Sequence, residues 1–177
     1  MQKKHCKDDI SDKIHRRSMQ YQPLHLQQAD ELKRVALQSW LHTYKDIYSN
    51  QFIIDFVDEH YSFASIKNAL EWASTNNGWN YAALDNNKLV GYITIGPANG
   101  TFRLWRIYLL PEYIGKGIGS KLLSLGEAFL QSQKATSYFA LVHKNNMAGI
   151  HFYTRKGFKP IFEKNESDDL YFEKKFR

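Results

Sequence analysis

The chain has 177 residues, a single Cys, 43% hydrophobic and 24% charged residues, and a formal net charge of +6. That length builds one core without covalent staples, and the composition excludes general disorder and a fibrous fold. Cys6 has no second thiol for an intramolecular disulfide or a metal site, no apolar run spans a bilayer, and the first residues are too polar for a signal peptide; a cytoplasmic protein with no metal and no membrane contact is expected.

In chain order, residues 1–17 come first and carry six Lys/Arg against three Asp, which is half of the net positive charge. They lack interleaved aromatics and a dense basic block, so they read as a solvated tail and not as a nucleic-acid tether, with residues 18–177 as one domain. Met19 to Leu24 alternates weakly and contains Pro23, which predicts an edge strand. Ala29 to Tyr44 sets Leu32, Val35, Ala36, Trp40 and Tyr44 at helical spacing. Further helices are expected over Gln51 to Glu59 and Ser62 to Ala73, ended by Asn76-Asn77-Gly78.

Strands follow at Trp79 to Leu84 and Leu89 to Ile95, joined by a turn at Asp85-Asn86-Asn87-Lys88. A second turn at Gly96 to Gly100 leads into an apolar strand, Thr101 to Leu110, expected at the centre of the sheet. Pro111 to Gly119 then opens a helix reaching about Ser132, with Ile118, Leu122, Leu125 and Phe129 on one face. Ser137 to His143 reads as a strand, Asn146 to Lys156 as a helix, and Phe158 to Phe162 and Leu170 to Phe176 as closing strands. The alternation gives a single α/β domain with a mixed sheet.

Two segments carry chemistry. Leu110-Pro-Glu-Tyr-Ile-Gly-Lys-Gly-Ile-Gly-Ser120 holds three glycines in five residues between a strand and a helix. Such a loop lets main-chain N–H groups converge where the helix presents its positive end, which suits a pyrophosphate. The spacing is neither the P-loop nor Gly-x-Gly-x-x-Gly, and the loop alone is also compatible with a tight turn. The second segment is Asn146-Met-Ala-Gly-Ile-His-Phe-Tyr-Thr-Arg-Lys-Gly-Phe158, where Asn146 can cap a helix that Gly157 ends.

Together these segments resemble the two coenzyme motifs of the GNAT acetyltransferases. The first is similar to Arg/Gln-x-x-Gly-x-Gly/Ala after a strand ending in hydrophobic-x-Pro, with Gly117 and Gly119 on the glycines and Ile114 departing from Arg/Gln. The second is similar to Asn-x-x-Ala-x-x-Phe-Tyr-x-x-x-Gly-Phe, with Gly149 in place of the alanine. The resemblance implies a mostly antiparallel, mixed sheet of six to seven strands flanked by helices, and acetyl-CoA as cosubstrate. It also implies that Ile114, Gly115, Lys116, Gly117, Ile118, Gly119 and Ser120 hold the pyrophosphate. The main chain of Ile107, Tyr108 and Leu109 would pair with the pantetheine arm, and the Leu109 N–H would face the developing oxyanion. Asn146 would face the coenzyme, and Tyr153 would act as general acid to the departing thiolate; read alone, Tyr153 is equally a packed aromatic.

For the acceptor, an alkylamine of pKa about 10.4 costs roughly 4.6 kcal/mol to deprotonate at pH 7. The neighbourhood Phe102-Arg103-Leu104-Trp105 offers no carboxylate, so His143, with an ordinary pKa of about 6.5, is the candidate base, against a purely structural histidine. Ser39-Trp40-Leu-His-Thr-Tyr44 with Asp58-Glu59 resembles prokaryotic spermidine/spermine-type acetyltransferases. Trp40, Tyr44, Asp58 and Glu59 would then line an aromatic and acidic cleft for a polyamine, although Trp40 and Tyr44 also fit a plain core. The other readings are acetylation of protein N-termini or another small amine, and a non-catalytic CoA-binding module of the same fold. The resemblance leaves a homodimer open.

Overall fold

The computed structural model describes residues 19–176, so the tail read over residues 1–17 lies outside the described residues. Seven strands form one sheet in the order β1-β2-β3-β4-β5-β7-β6. They are β1 Gln20–Pro23, β2 Trp79–Asp85, β3 Lys88–Ala98, β4 Thr101–Leu109, β5 Ser137–His143, β6 Lys159–Pro160 and β7 Asp169–Lys175. Every neighbouring pair is antiparallel except β4 and β5. Five helices complete the domain: α1 Ala29–Tyr44, α2 Asn50–His60, α3 Phe63–Thr75, α4 Ile118–Ser132 and α5 Met147–Arg155. Among the described residues no helix is long and apolar enough to cross a membrane.

The hairpins follow from their turn residues. Asn86 and Asn87 both have positive φ, as do Asn99 and Gly100, which is the two-residue geometry that matches strand twist. Because the second turn needs only Asn99 and Gly100, β3 runs on through Gly96 and Pro97, which pair with Arg103 and Phe102. The expected turn at Gly96 to Gly100 was therefore too long. The expected strand at Phe158 to Phe162 shrinks to Lys159–Pro160 and gives way to a short 3-10 turn at Phe162–Lys164. Pro160 cannot donate to a longer ladder.

The apolar stripe of α4, with Ile118, Leu122, Leu123 and Leu130 buried, packs on the face of the sheet that carries Ile93 and Ile95. The opposite face carries Tyr92 and Tyr108 and is covered by α1, whose Trp40 donates its indole N–H to the Tyr108 hydroxyl at 3.1 Å. Glu127 of α4 accepts from the Tyr138 hydroxyl of β5 and from Lys174 of β7, tying the helix to the strands behind the parallel pair. Asn146 caps α5 by accepting from the Gly149 N–H at 2.9 Å.

Candidate active site

The sheet opens between its two parallel strands. β4 and β5 pair only from Phe102–Tyr138 to Leu104–Ala140. Beyond that point β4 carries a bulge: Thr94 pairs with Arg106 and Ile95 with Leu104, so Trp105 has no partner on β3. The Leu110 N–H donates to the Val90 carbonyl at 2.8 Å. In an antiparallel ladder successive residues point to opposite sides, so Tyr108 also faces β3 while the N–H and C=O groups of Ile107 and Leu109 face the gap. Ile107 and Leu109 are half-buried, and an extended ligand laid along β4 would pair with their main-chain groups.

The gap is the floor of a cavity of about 210 Å³. It pierces the sheet, so Ser39, Thr43 and Tyr44 of α1 on one side and Gly149, Phe152 and Tyr153 of α5 on the other line the same cleft. At its mouth lies the glycine loop. Gly115 and Gly117 have φ of 80° and 82°, a region that side chains other than glycine disfavour. Gly117 is the N-cap of α4 and makes no side-chain cap bond, in contrast to Ser49, Ser62 and Asn146 at the starts of α2, α3 and α5. The first ladder bond of α4 runs from the Lys121 N–H to the Gly117 carbonyl, so the preceding amides are free for an anion. Ile114, the departure from the motif, is half-exposed, and Lys116 lies 5.0 Å from the Tyr113 ring.

Tyr153 is buried, its ring held between Phe152, Phe158 and Phe172. Among the described residues its hydroxyl has no hydrogen-bond partner, and burial pushes its pKa well up. Burial likewise pushes Tyr44 up to about 12, partly offset by the Asn146 amide beside its hydroxyl. Tyr92, Tyr108 and Tyr138 are raised for the same first reason. Phenols whose folded pKa lies above the unfolded value of about 10 contribute stability that is fully present below pH 10 and is lost as pH climbs through the folded values. The melting temperature is therefore expected to hold from pH 8 to about 9.5 and to fall steeply above about 10. A flat profile to pH 11.5 would contradict the burial of these hydroxyls.

The other residues singled out in the sequence are more scattered. His143 is buried, but its Nδ1 accepts from the Asn145 N–H at 3.2 Å and its Nε2 faces Asp168 at 4.0 Å. Its ring sits between Tyr44 and Tyr48, and it does not line the cleft. Trp40 stacks on Phe56 and lies in the core layer. Asp58 is paired with Lys33 at 2.8 Å on the surface, Glu59 is exposed, and neither lines a cavity with Tyr44. The cleft instead contains Arg106, whose Nε donates to the Tyr61 hydroxyl at 2.9 Å, and borders Arg103, whose guanidinium lies 4.1 Å from the Trp105 ring. Among the described residues neither arginine has a carboxylate within ion-pair distance. Two arginines in an otherwise apolar central strand were the sequence signal that went unused.

The site is compatible with one class of ligand: an extended arm that hydrogen-bonds to β4 and ends in phosphates at the start of α4. The comparisons agree. The Acetyltransferase (GNAT) family matches residues 37–158. A spermidine N(1)-acetyltransferase of Thermoplasma acidophilum is 31% identical over 90% of this chain and 98% of its own. The crystal structure of the PaiA N-acetyltransferase of Thermoplasma acidophilum in complex with coenzyme A superposes with a TM-score of 0.84 at 29% identity, covering 90% of this chain and 99% of that one. A GNAT-family acetyltransferase from Staphylococcus aureus shares the fold, with a TM-score of 0.73 at 15% identity over 90% of this chain and all of the other. The free edge of β4, the uncapped start of α4 and the span of these matches lead to one conclusion: the chain belongs to the GNAT acetyltransferase family and is an acetyl-CoA-dependent N-acetyltransferase.

Proposed function

We propose that the chain acetylates a primary amine by direct attack in the gap between β4 and β5. The observation that carries this reading is the unpaired main chain of Ile107 and Leu109 beside Tyr153, a buried ring whose hydroxyl is open to the cleft and has no partner among the described residues. Acetyl-CoA supplies an activated acetyl group. The amides of Gly115 to Ser120 hold its pyrophosphate, Ile107 and Leu109 align its arm, and the Leu109 N–H steadies negative charge on the carbonyl oxygen. The amine nitrogen forms the new C–N bond as the C–S bond breaks. The Tyr153 O–H hydrogen-bonds to the departing sulfur, and the thiolate takes up a proton from solvent as the acylated nitrogen releases its own. Because a thiol has a pKa of about 8.5, below that of a buried phenol, Tyr153 works chiefly as a hydrogen-bond donor and stays protonated between turnovers.

Among the described residues no carboxylate or histidine lines the cleft, so the neutral amine is drawn from solution. Arg106 helps, because a neighbouring positive charge disfavours the ammonium form. The rate at subsaturating amine is therefore expected to rise about tenfold per pH unit between pH 7 and 9, following the amine and not a protein group. A plateau above pH 7 would point instead to a protein base such as His143.

A polyamine acceptor is the second reading, brought by the spermidine-acetylating relative; the Asp169 charge is felt at Tyr44 in the cleft wall, while among the described residues no carboxylate lines the cleft itself. We place the reaction in the cytoplasm, with residues 18–177 as the working domain. The test is acetyl-CoA-dependent thiol release with spermidine, 1,4-diaminobutane, lysine, a peptide N-terminus and no acceptor. Release above the no-acceptor rate with any amine supports the transferase reading. Spermidine selectivity supports the polyamine. Acetyl-CoA binding without release from any amine would favour a non-catalytic module.

A further inference from the structure

A second cavity, of about 370 Å³, lies between α3 and the face of the sheet that α1 covers. It adjoins the coenzyme cleft directly, because Trp105 and Arg106 line both. The bulge in β4 that opens the cleft is what aims Trp105 at this shared wall. Trp72 and Trp105, 44% and 41% exposed, form its rim. They close over Gly96, where a Cβ would stand 2.9 Å from a Trp72 ring carbon and 3.4 Å from the Trp105 Nε1. The depth is apolar, with Leu32, Ile66 and Ala73, and has the size of a small-ligand pocket.

Its accessible polar lining includes His60, Ser65 and Asn80. The hydroxyls of Tyr92 and Thr94 are sealed behind the cavity wall, with Tyr92 against Tyr61. The nearby Tyr61 hydroxyl already accepts from Arg106. Among the described residues no Asp or Glu lines the cavity, and its one permanent charge is the Arg106 guanidinium. A second ammonium taken into this space would lose its water, meet a like charge and find no carboxylate. An apolar group would fill the space and cover its Leu, Ile and Trp walls without stranding a charge.

We propose that this cavity receives the uncharged body of the acceptor, an arylalkyl group seated against Trp72 and Trp105, while its primary amine reaches the cleft past Arg106. The assignment rests on the amine-acetyltransferase reading above and competes with the polyamine as acceptor. Spermidine would have to leave the cavity empty and keep its distal charges in solvent.

The experiment compares tyramine, 2-phenylethylamine, 1,4-diaminobutane and spermidine as acceptors for the full chain and for Ala69→Glu. Ala69 is exposed on α3 and lines the cavity, so a carboxylate placed there leaves the fold and the coenzyme cleft intact. In the unmodified chain, kcat/KM for tyramine is expected to exceed that for spermidine by about tenfold or more, as a shaped pocket discriminates. Ala69→Glu should raise the KM for tyramine and lower it for spermidine. Spermidine equal to tyramine in the unmodified chain, or an unchanged tyramine KM in the variant, would overturn the proposal while leaving acetyl transfer standing. If no amine is turned over although acetyl-CoA binds, the transferase reading fails separately. Tyramine quenching of indole fluorescence that Ala69→Glu abolishes would then still support the pocket, and no quenching would remove it.

Discussion

Replacing Tyr153 with Phe is expected to lower kcat by about 10²- to 10³-fold while leaving acetyl-CoA binding and the melting temperature nearly unchanged. The ring is fixed by Phe152, Phe158 and Phe172, contacts that Phe reproduces atom for atom. The hydroxyl holds nothing together among the described residues, so its loss leaves no polar atom stranded. What disappears is a donor kept neutral by burial and exposed to the cleft, where negative charge collects on sulfur during turnover. Single-turnover thiol release, with calorimetry for the coenzyme, separates the two effects. Unchanged turnover would remove Tyr153 from the chemistry and leave it as a packed aromatic.

The second large effect is expected at the loop. Gly117→Val places a β-branched residue at φ 82°, where the new Cβ meets nothing within 4 Å, so the cost is purely conformational. Strain of about 1–3 kcal/mol will be relieved by turning the loop amides away from the coenzyme, weakening acetyl-CoA binding about 5- to 150-fold. Gly100→Val is the control: φ is 74° there, the surroundings are equally open, and the hairpin is not part of the cleft. Both variants should lose stability to a similar degree, but only Gly117→Val should lose the coenzyme. Equal coenzyme affinity in the two would mean that the loop amides do not bind the anion.

Much of the architecture was legible because local chemistry and tertiary environment agree. The stripe of Ile118, Leu122, Leu125 and Phe129 announces α4, and paired asparagines announce the hairpin at Asn86-Asn87. Asn146 and Gly157 bracket α5 as their types suggest. Ends of strands were less legible, since whether Gly96 and Pro97 continue β3 depends on partners in β4. The coenzyme side of the site was written in a contiguous loop and a contiguous helix. The cavity proposed for the acceptor was not, because its walls come from α1, α3 and the bulge in β4, and no spacing rule foretells that Trp105 loses its partner. Trp40 and His143, candidates by residue type, lie against the core and beside Asp168. Asp58 and Glu59, adjacent in sequence to the cavity residues His60 and Tyr61, turn outward to solvent.

The central claim is that the parted edge of β4 and the uncapped start of α4 together hold acetyl-CoA. The most direct measurement is amide hydrogen exchange of the purified chain with and without acetyl-CoA. Strong new protection over residues 105–110 and 114–121, with the hairpin at 85–88 unchanged, is the predicted result. Protection absent from both segments, in a chain that calorimetry shows to be saturated with acetyl-CoA, would contradict it.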